Sequence, residues 1–168
     1  IATVNLISGI MDIGGTMTVG NNSIGTLNIQ GGTYRQGRNT LIVANGTGTG
    51  LVSIDSGSLI TRQGVAVNNG GTFRVIGSDA SQIGIGSVDS LDGEFTLNSG
   101  ALLDMRIDTG GITSIFVDAV DGDGGQFATF NLGSLLNLDF DGIGPIAGTW
   151  TLLELENGDI TDSGLSLA

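Results

Sequence analysis

Carboxylates and arginines are the side chains that could do chemistry in this sequence, because its 168 residues include no histidine, cysteine or lysine. A histidine-assisted triad, a cysteine nucleophile and a serine–lysine pair are therefore excluded. Two pairs of acids have a spacing of two residues, Glu154 with Glu156 and Asp139 with Asp141. On a strand each pair would share one face with Cα atoms about 6.6 Å apart, which could serve glycoside hydrolysis. An exposed polar strand face explains the same spacing, and we expect no catalytic residues and no enzyme.

A glycine-rich acidic loop could bind calcium. Asp118, Asp121 and Asp123 lie in the segment Asp-Ala-Val-Asp-Gly-Asp-Gly-Gly. Oxygen ligands on a flexible loop are what Ca²⁺ requires. The loop is not an EF-hand, because Gly125 stands where a third ligand belongs and no glutamate closes the loop. A solvated turn is the alternative, and calcium is the only cofactor that we consider.

The elements that would position these side chains are short alternating strands closed by glycines. The segment Gly-Thr-Leu-Asn-Ile-Gln-Gly-Gly at 25–32 is the clearest copy. Similar copies recur every 21–25 residues when they are aligned on Val4, Leu27, Val52, Phe73 and Phe95. A period in the twenties is typical of a solenoid.

Each repeat carries further short runs after its first strand. The second runs are Ile10–Ile13, Thr33–Gln36, Leu59–Arg62 and Leu102–Ile107, and the third are Met17–Val19, Leu41–Val43 and Val65–Val67. Three strands with tight corners in about 23 residues make one turn of a β-helix. We predict an all-β, right-handed parallel β-helix in residues 1–100. The acidic region 101–168 would continue this stack or cap it with wider coils or a small sandwich.

Polar side chains at equivalent positions should stack on one another. Asn22, Asn45 and Asn68 are each 23 residues apart, at the corner after the third strand. Asparagine tolerates left-handed turns, and stacked amides can form a hydrogen-bonded ladder. Asp12 and Arg35 have the same spacing and would form an opposite-charge pair between successive repeats.

The charge is distributed unevenly along the chain. The net charge is −12. Residues 1–84 carry three acids and four arginines, for a net charge of +1, whereas residues 85–168 carry 14 acids and one arginine, for a net charge of −13. Neither half is basic enough to suggest a nucleic-acid partner, and an acidic surface repels anionic membranes. No apolar run is long enough for a membrane helix, so we expect no membrane insertion.

Two segments resemble a known class of surface protein. The pattern Gly-Thr-Leu-Asn-Ile-x-Gly-Gly-Thr resembles the β-helix repeats of bacterial autotransporter passengers and of related surface proteins with a sorting tail. The segment Gly-Thr-Trp-Thr-Leu-Leu-Glu-Leu at 148–155, followed by Gly-Asp-Ile-Thr at 158–161, resembles the segment that closes such stacks. The resemblance implies a β-helix that is extracellular or attached to the cell surface.

Three functions agree with these observations. We favour a structural subunit that associates head to tail with copies of itself in a filament or surface matrix, with or without strand exchange. We expect the open ends of the stack to make this contact through Val4, Leu6, Ile13, Leu165 and Leu167. The alternative is an adhesin module that binds surface polysaccharide, although the first three repeats offer only Tyr34 as an aromatic platform. A carbohydrate-active enzyme is the least favoured, because lysine and histidine are missing.

Overall fold

The chain is all-β in a computed structural model, which describes residues 1–86, 93–117, 127–140, 148–156 and 159–168. The strands, in chain order, are β1 Ala2–Leu6, β2 Ile10–Ile13, β3 Thr18–Asn21, β4 Ile24–Gln36, β5 Leu41–Asn45, β6 Thr49–Thr61, β7 Gly64–Val67, β8 Gly71–Ile76, β9 Ala80–Ile85, β10 Glu94–Leu97, β11 Leu102–Arg106, β12 Ile115–Val117, β13 Phe127–Phe130, β14 Leu135–Asp139, β15 Leu153–Leu155, β16 Asp159–Asp162 and β17 Ser166–Leu167. Within these ranges no helix is long and apolar enough to span a membrane.

The strands pair in parallel and fall into three series. The first series runs from β1 through the first halves of β4 and β6 to β8, β11, β14 and β17. The second runs from β2 through the second halves of β4 and β6 to β9, β12 and β15. The third is β3, β5, β7, β10, β13 and β16. The expectation of an all-β chain with stacked parallel strands is confirmed, and the fold is solenoid-like.

Alternation along each strand creates columns of side chains that run from level to level. The register of the first series aligns one inward column, which we call the Val4 column: Val4, Leu27, Val52, Phe73, Leu103, Leu136 and Leu167. Its members from Leu27 to Leu103 are at most 3% exposed, and similar columns from the other series pack against them. The interior is therefore one continuous hydrophobic core, because every second residue of each strand points to it.

The structure corrects one part of the repeat alignment. Val4, Leu27, Val52 and Phe73 occupy the same column, as the alignment predicts. Phe95 does not, because it pairs with Val65 in the third series, and Leu103 takes the predicted place of Phe95. The segment Leu102–Ile107 therefore belongs to the first series and not to the second. The reason is loop length, since the step within the first series rises from 21 residues between Val52 and Phe73 to 30 between Phe73 and Leu103.

The strands after Ala101 extend all three series. β11 pairs with β8, β12 with β9, and β13 with β10. The next level adds β14, β15 and β16 in the same parallel arrangement. The acidic region thus continues the strand order of residues 1–100, with steps of 32 or 33 residues between Leu103 and Leu136 and between Phe130 and Asp162.

Candidate functional site

The acidic residues do not form a metal centre in the described part of the chain. No group of three or more histidine, cysteine or acidic residues that could hold a metal ion occurs there. The calcium candidates Asp118, Asp121 and Asp123 lie outside the described residues, so that site stays a prediction.

The two acidic pairs lie on exposed backbone. Glu154 is exposed on β15, and its Oε1 accepts a hydrogen bond of 2.8 Å from the Ser114 hydroxyl. Glu156 follows the end of β15 and is also exposed. Asp139 is exposed at the end of β14, and its proposed companion Asp141 lies outside the described residues. The described acids of these pairs thus lie on open surface, where water competes for every ligand contact.

A ladder of asparagines follows the third series. Asn131 Nδ2 donates to Asn98 Oδ1 at 2.7 Å, and Asn98 Nδ2 donates to Asn68 Oδ1 at 2.8 Å. Asn68 Nδ2 in turn donates to the Ala44 carbonyl at 2.9 Å. Each amide therefore donates to the level on its N-terminal side and, where another asparagine follows, accepts from the next level. The half-buried ladder joins four successive levels of the stack.

Tight turns hold this ladder in place. In each, the asparagine carbonyl accepts a hydrogen bond from the residue three positions later, as in Gly71 N to Asn68 O and Ala101 N to Asn98 O. The third turn residue is a glycine with positive φ, 77° at Gly70 and 75° at Gly100. A type II turn needs a positive φ at this position, which glycine adopts without steric cost. The spacing Asn-x-Gly after an apolar strand was the sequence signal for Asn98 and Asn131.

The predicted ladder of Asn22, Asn45 and Asn68 differs from the observed one. Asn45 Nδ2 donates to Asn21 Oδ1 at 3.1 Å, and Asn22 Oδ1 accepts from the Thr47 backbone N–H. Asn68 aligns with Ala44, because its N–H donates to the Val43 carbonyl. The equal 23-residue spacing thus does not place the three side chains in one column. An extra residue in the corner shifts the register, and Asn22 and Ala44 adopt left-handed φ of 52° and 64° there.

A second polar column runs along the outer face of the first series. Its register aligns Asn5, Asn28, Ser53, Arg74, Asp104 and Asn137. Asn28 Nδ2 donates to Asn5 Oδ1 at 2.8 Å at one end. At the other end Asp104 Oδ2 lies 2.6 Å from Arg74 Nε and 3.5 Å from Arg106 Nε, and its Oδ1 accepts from Asn137 Nδ2 at 2.8 Å. Neighbouring polar groups therefore satisfy a carboxylate that is only 2% exposed.

The environment of Asp104 favours its ionised form. Desolvation by burial raises the pKa of Asp104, but the hydrogen bonds from Asn137 and Arg74 and the charges of Arg74 and Arg106 outweigh it. The pKa is therefore below its ordinary value. A low pKa is the opposite of what a general acid needs at neutral pH, so this cluster fits a structural ion-pair network.

Another buried polar contact lies inside the second series. The Tyr34 hydroxyl donates to Gln36 Oε1, and Gln36 Nε2 donates to the Gly15 carbonyl. Burial raises the pKa of the Tyr34 phenol. Tyr34 is 0% exposed, so it offers no platform for a sugar ring, contrary to the use that the adhesin alternative would make of it.

The largest cleft of interest lies on the flank of the stack, where the second series turns at the glycines that follow β2 and β4. It has a volume of about 560 Å³. Its walls are Asp12, Ile13, Gly14, Arg35, Gln36, Gly37, Ile60 and Arg62. Asp12 and Arg35 pair in register, as predicted, yet no ion pair within 4 Å joins their side chains in the described structure. We call this feature the Arg35 cleft.

The residues predicted for assembly occupy the two ends of the stack. Val4 and Leu6 lie on β1, and Ile13 lies on β2. Leu165 and Leu167 lie at the other end, in and just before β17. Leu167 is 76% exposed, whereas Leu6 is 7% exposed because it packs into the core.

Comparison with known proteins adds no family. No family model, no curated protein and no solved structure matches the chain.

Proposed function

We propose that this chain is a right-handed parallel β-helix in an extracellular or cell-surface structural protein, and that it associates head to tail with copies of itself. Three parallel strand series that progress together through the sequence support the β-helix. The asparagine ladder supports it further, because equivalent corners stack directly. A rod that repeats one pairing pattern suits a scaffold, since each level contacts only its neighbours.

The Val4 column is the observation that carries head-to-tail association. Val4 begins this inward column and Leu167 ends it, so the same apolar track reaches both ends of the stack. The strands at the two ends also pair on one side only within the described structure. Unpaired strand edges bind further strands readily. A second copy placed in register would extend the column and the parallel sheets, and a contact between unlike ends propagates unless it closes into a ring.

Charge shapes this contact as well. An outer column of the second series begins with Asp12 and ends with Glu154. In-register stacking therefore brings two carboxylates to adjacent levels, which disfavours the contact at low salt. Asp162 ends an inward column that contains Phe130, so the third series offers a charge instead of an apolar end. Association would depend mainly on the first series and would strengthen as salt screens the repulsion.

Sedimentation velocity of the 168-residue chain tests the proposal. We expect the weight-average sedimentation coefficient to rise with protein concentration and with salt. Leu167→Asp should weaken association by about tenfold or more, because the contact loses the burial of one leucine. The matched control is Leu132→Asp, since Leu132 is 72% exposed but lies in a turn on the flank. A chain that stays monomeric at high concentration, or equal effects of the two variants, would contradict the contact.

A further inference from the structure

The Arg35 cleft combines features of a ligand site on the flank of the stack. Arg35 and Arg62 bring two guanidinium groups to its walls, and Asp12 adds one carboxylate. Ile13 and Ile60 add apolar surface. The cleft spans three successive levels, because Asp12 pairs with Arg35, and Arg35 pairs with Ile60. It is therefore open from the side even when another layer covers the end of the stack.

The local sequence explains why there is room for a ligand. Gly14 and Gly37 follow β2 and β4 at the corner. A Cβ atom at Gly14 would meet nothing within 4 Å, so this position opens directly into free space. Gln36, which is 2% exposed, fixes the floor of the corner through its bonds with Tyr34 and Gly15. The cleft is thus a pre-formed concavity with a rigid floor, as ligand sites usually are.

The charges restrict the chemistry of the ligand. Guanidinium groups bind carboxylates through paired hydrogen bonds. Asp12 repels a simple anion but accepts hydrogen bonds from hydroxyl groups. A ligand with one carboxylate and several hydroxyls satisfies both requirements. The isoleucines can pack against the C–H face of a sugar ring.

We propose that the Arg35 cleft binds a carboxylated sugar, such as a uronic acid residue of an acidic polysaccharide. The carboxylate of the sugar pairs with Arg35 and lies near Arg62, and a ring hydroxyl donates to Asp12. This site lies outside the head-to-tail contact, so binding and association can fail independently. It would attach a structural rod to an acidic polysaccharide through its side.

Calorimetric titration with trigalacturonate as the probe tests the site. Arg35→Gln should weaken binding by about tenfold or more, because a charge-assisted pair is lost. The matched control is Arg38→Gln, which removes the same charge from an exposed residue that does not line the cleft. We expect that control to bind within about twofold of the parent chain, a small difference in free energy. Gly14→Leu should abolish binding by filling the cleft while the circular dichroism spectrum and unfolding midpoint stay unchanged.

Three further ligands separate a sugar-acid site from a plain anion site. The methyl ester of trigalacturonate and neutral galactotriose should not bind, because neither carries the carboxylate. Acetate should bind far more weakly than the trisaccharide, and Asp12→Asn should narrow that difference. No binding of trigalacturonate up to about 10 mM, which corresponds to a negligible free energy of binding, would overturn the proposal. So would equal losses in Arg35→Gln and Arg38→Gln, or acetate binding as tight as the trisaccharide.

Discussion

Phe73 and Phe95 face each other across the interior, with ring centroids 5.6 Å apart and planes inclined at 72°. Phe73 comes from the first series and Phe95 from the third. Phe95 also meets Phe130 at the next level, with centroids 6.4 Å apart. These edge-to-face contacts link two series and two levels, and each contributes about 0.5–1.5 kcal/mol beyond the burial of its area.

Removal of the central ring should destabilise the whole stack. We expect Phe95→Ala to lower the free energy of unfolding by about 3–5 kcal/mol, because it leaves a cavity at the centre of the core. Urea denaturation followed by circular dichroism measures the loss. Phe116→Ala is the control, since Phe116 is only half buried on β12. A loss at Phe95 no greater than at Phe116 would show that the stacked rings are not a central element of the core.

The asparagine ladder should contribute to stability at its middle rung. Asn98 takes part in two side-chain hydrogen bonds, with Asn68 and Asn131. We expect Asn98→Ala to cost about 1–3 kcal/mol, because both bonds are lost and neighbouring amides lose partners. Asn69→Ala should change the stability by about 0.5 kcal/mol or less, since Asn69 is exposed at the same corner. Comparable losses from the two variants in urea denaturation would argue against a stabilising ladder.

Asp104 should make stability depend on acid pH. Its folded-state pKa is lowered, so its contribution is present above the unfolded pKa of about 3.9 and is lost as pH falls through the folded value. We expect Asp104→Asn to cost about 2 kcal/mol at neutral pH, because the charge-assisted bond with Arg74 is weakened. The difference from the parent chain should shrink below about pH 4.

Urea denaturation at several pH values measures this dependence. Asp55→Asn is the control, because Asp55 is exposed on β6. That variant should follow the parent chain at every pH. A constant difference between the Asp104 variant and the parent chain from neutral to acid pH would exclude the carboxylate as the titrating group.

Tyr34 should resist ionisation until the protein unfolds. Burial raises its pKa, so the neutral phenol stabilises the folded state fully below the unfolded pKa of about 10, and this stabilisation is lost as pH rises further. Since the chain has one tyrosine, the ultraviolet absorbance of tyrosinate reports on Tyr34 alone. We expect the absorbance to change together with the loss of circular dichroism. In urea the same tyrosine should titrate at about 10, and a reversible titration there in the folded chain would contradict the buried assignment.

The local sequence determines the strands and much of the repeat. Alternation places Leu27 and Val52 inside, and glycines mark the corners between strands. The aligned positions from Val4 to Phe73 and the pairing of Asp12 with Arg35 follow from spacing alone. These features depend on contacts between repeats of nearly constant length, so the sequence distance identifies the partner.

The tertiary structure decided which series each later strand joins. An alternating segment such as Glu94–Leu97 fits any of the three series, because all of them turn one side of the strand inward. Longer connections change the sequence step from 21 to 30 residues, so spacing no longer identifies the partner of Phe73. The ladder from Asn68 to Asn131 and the pairing of Arg74 with Asp104 arise only when these strands are stacked. Their partners are set by packing between levels, which no local pattern encodes.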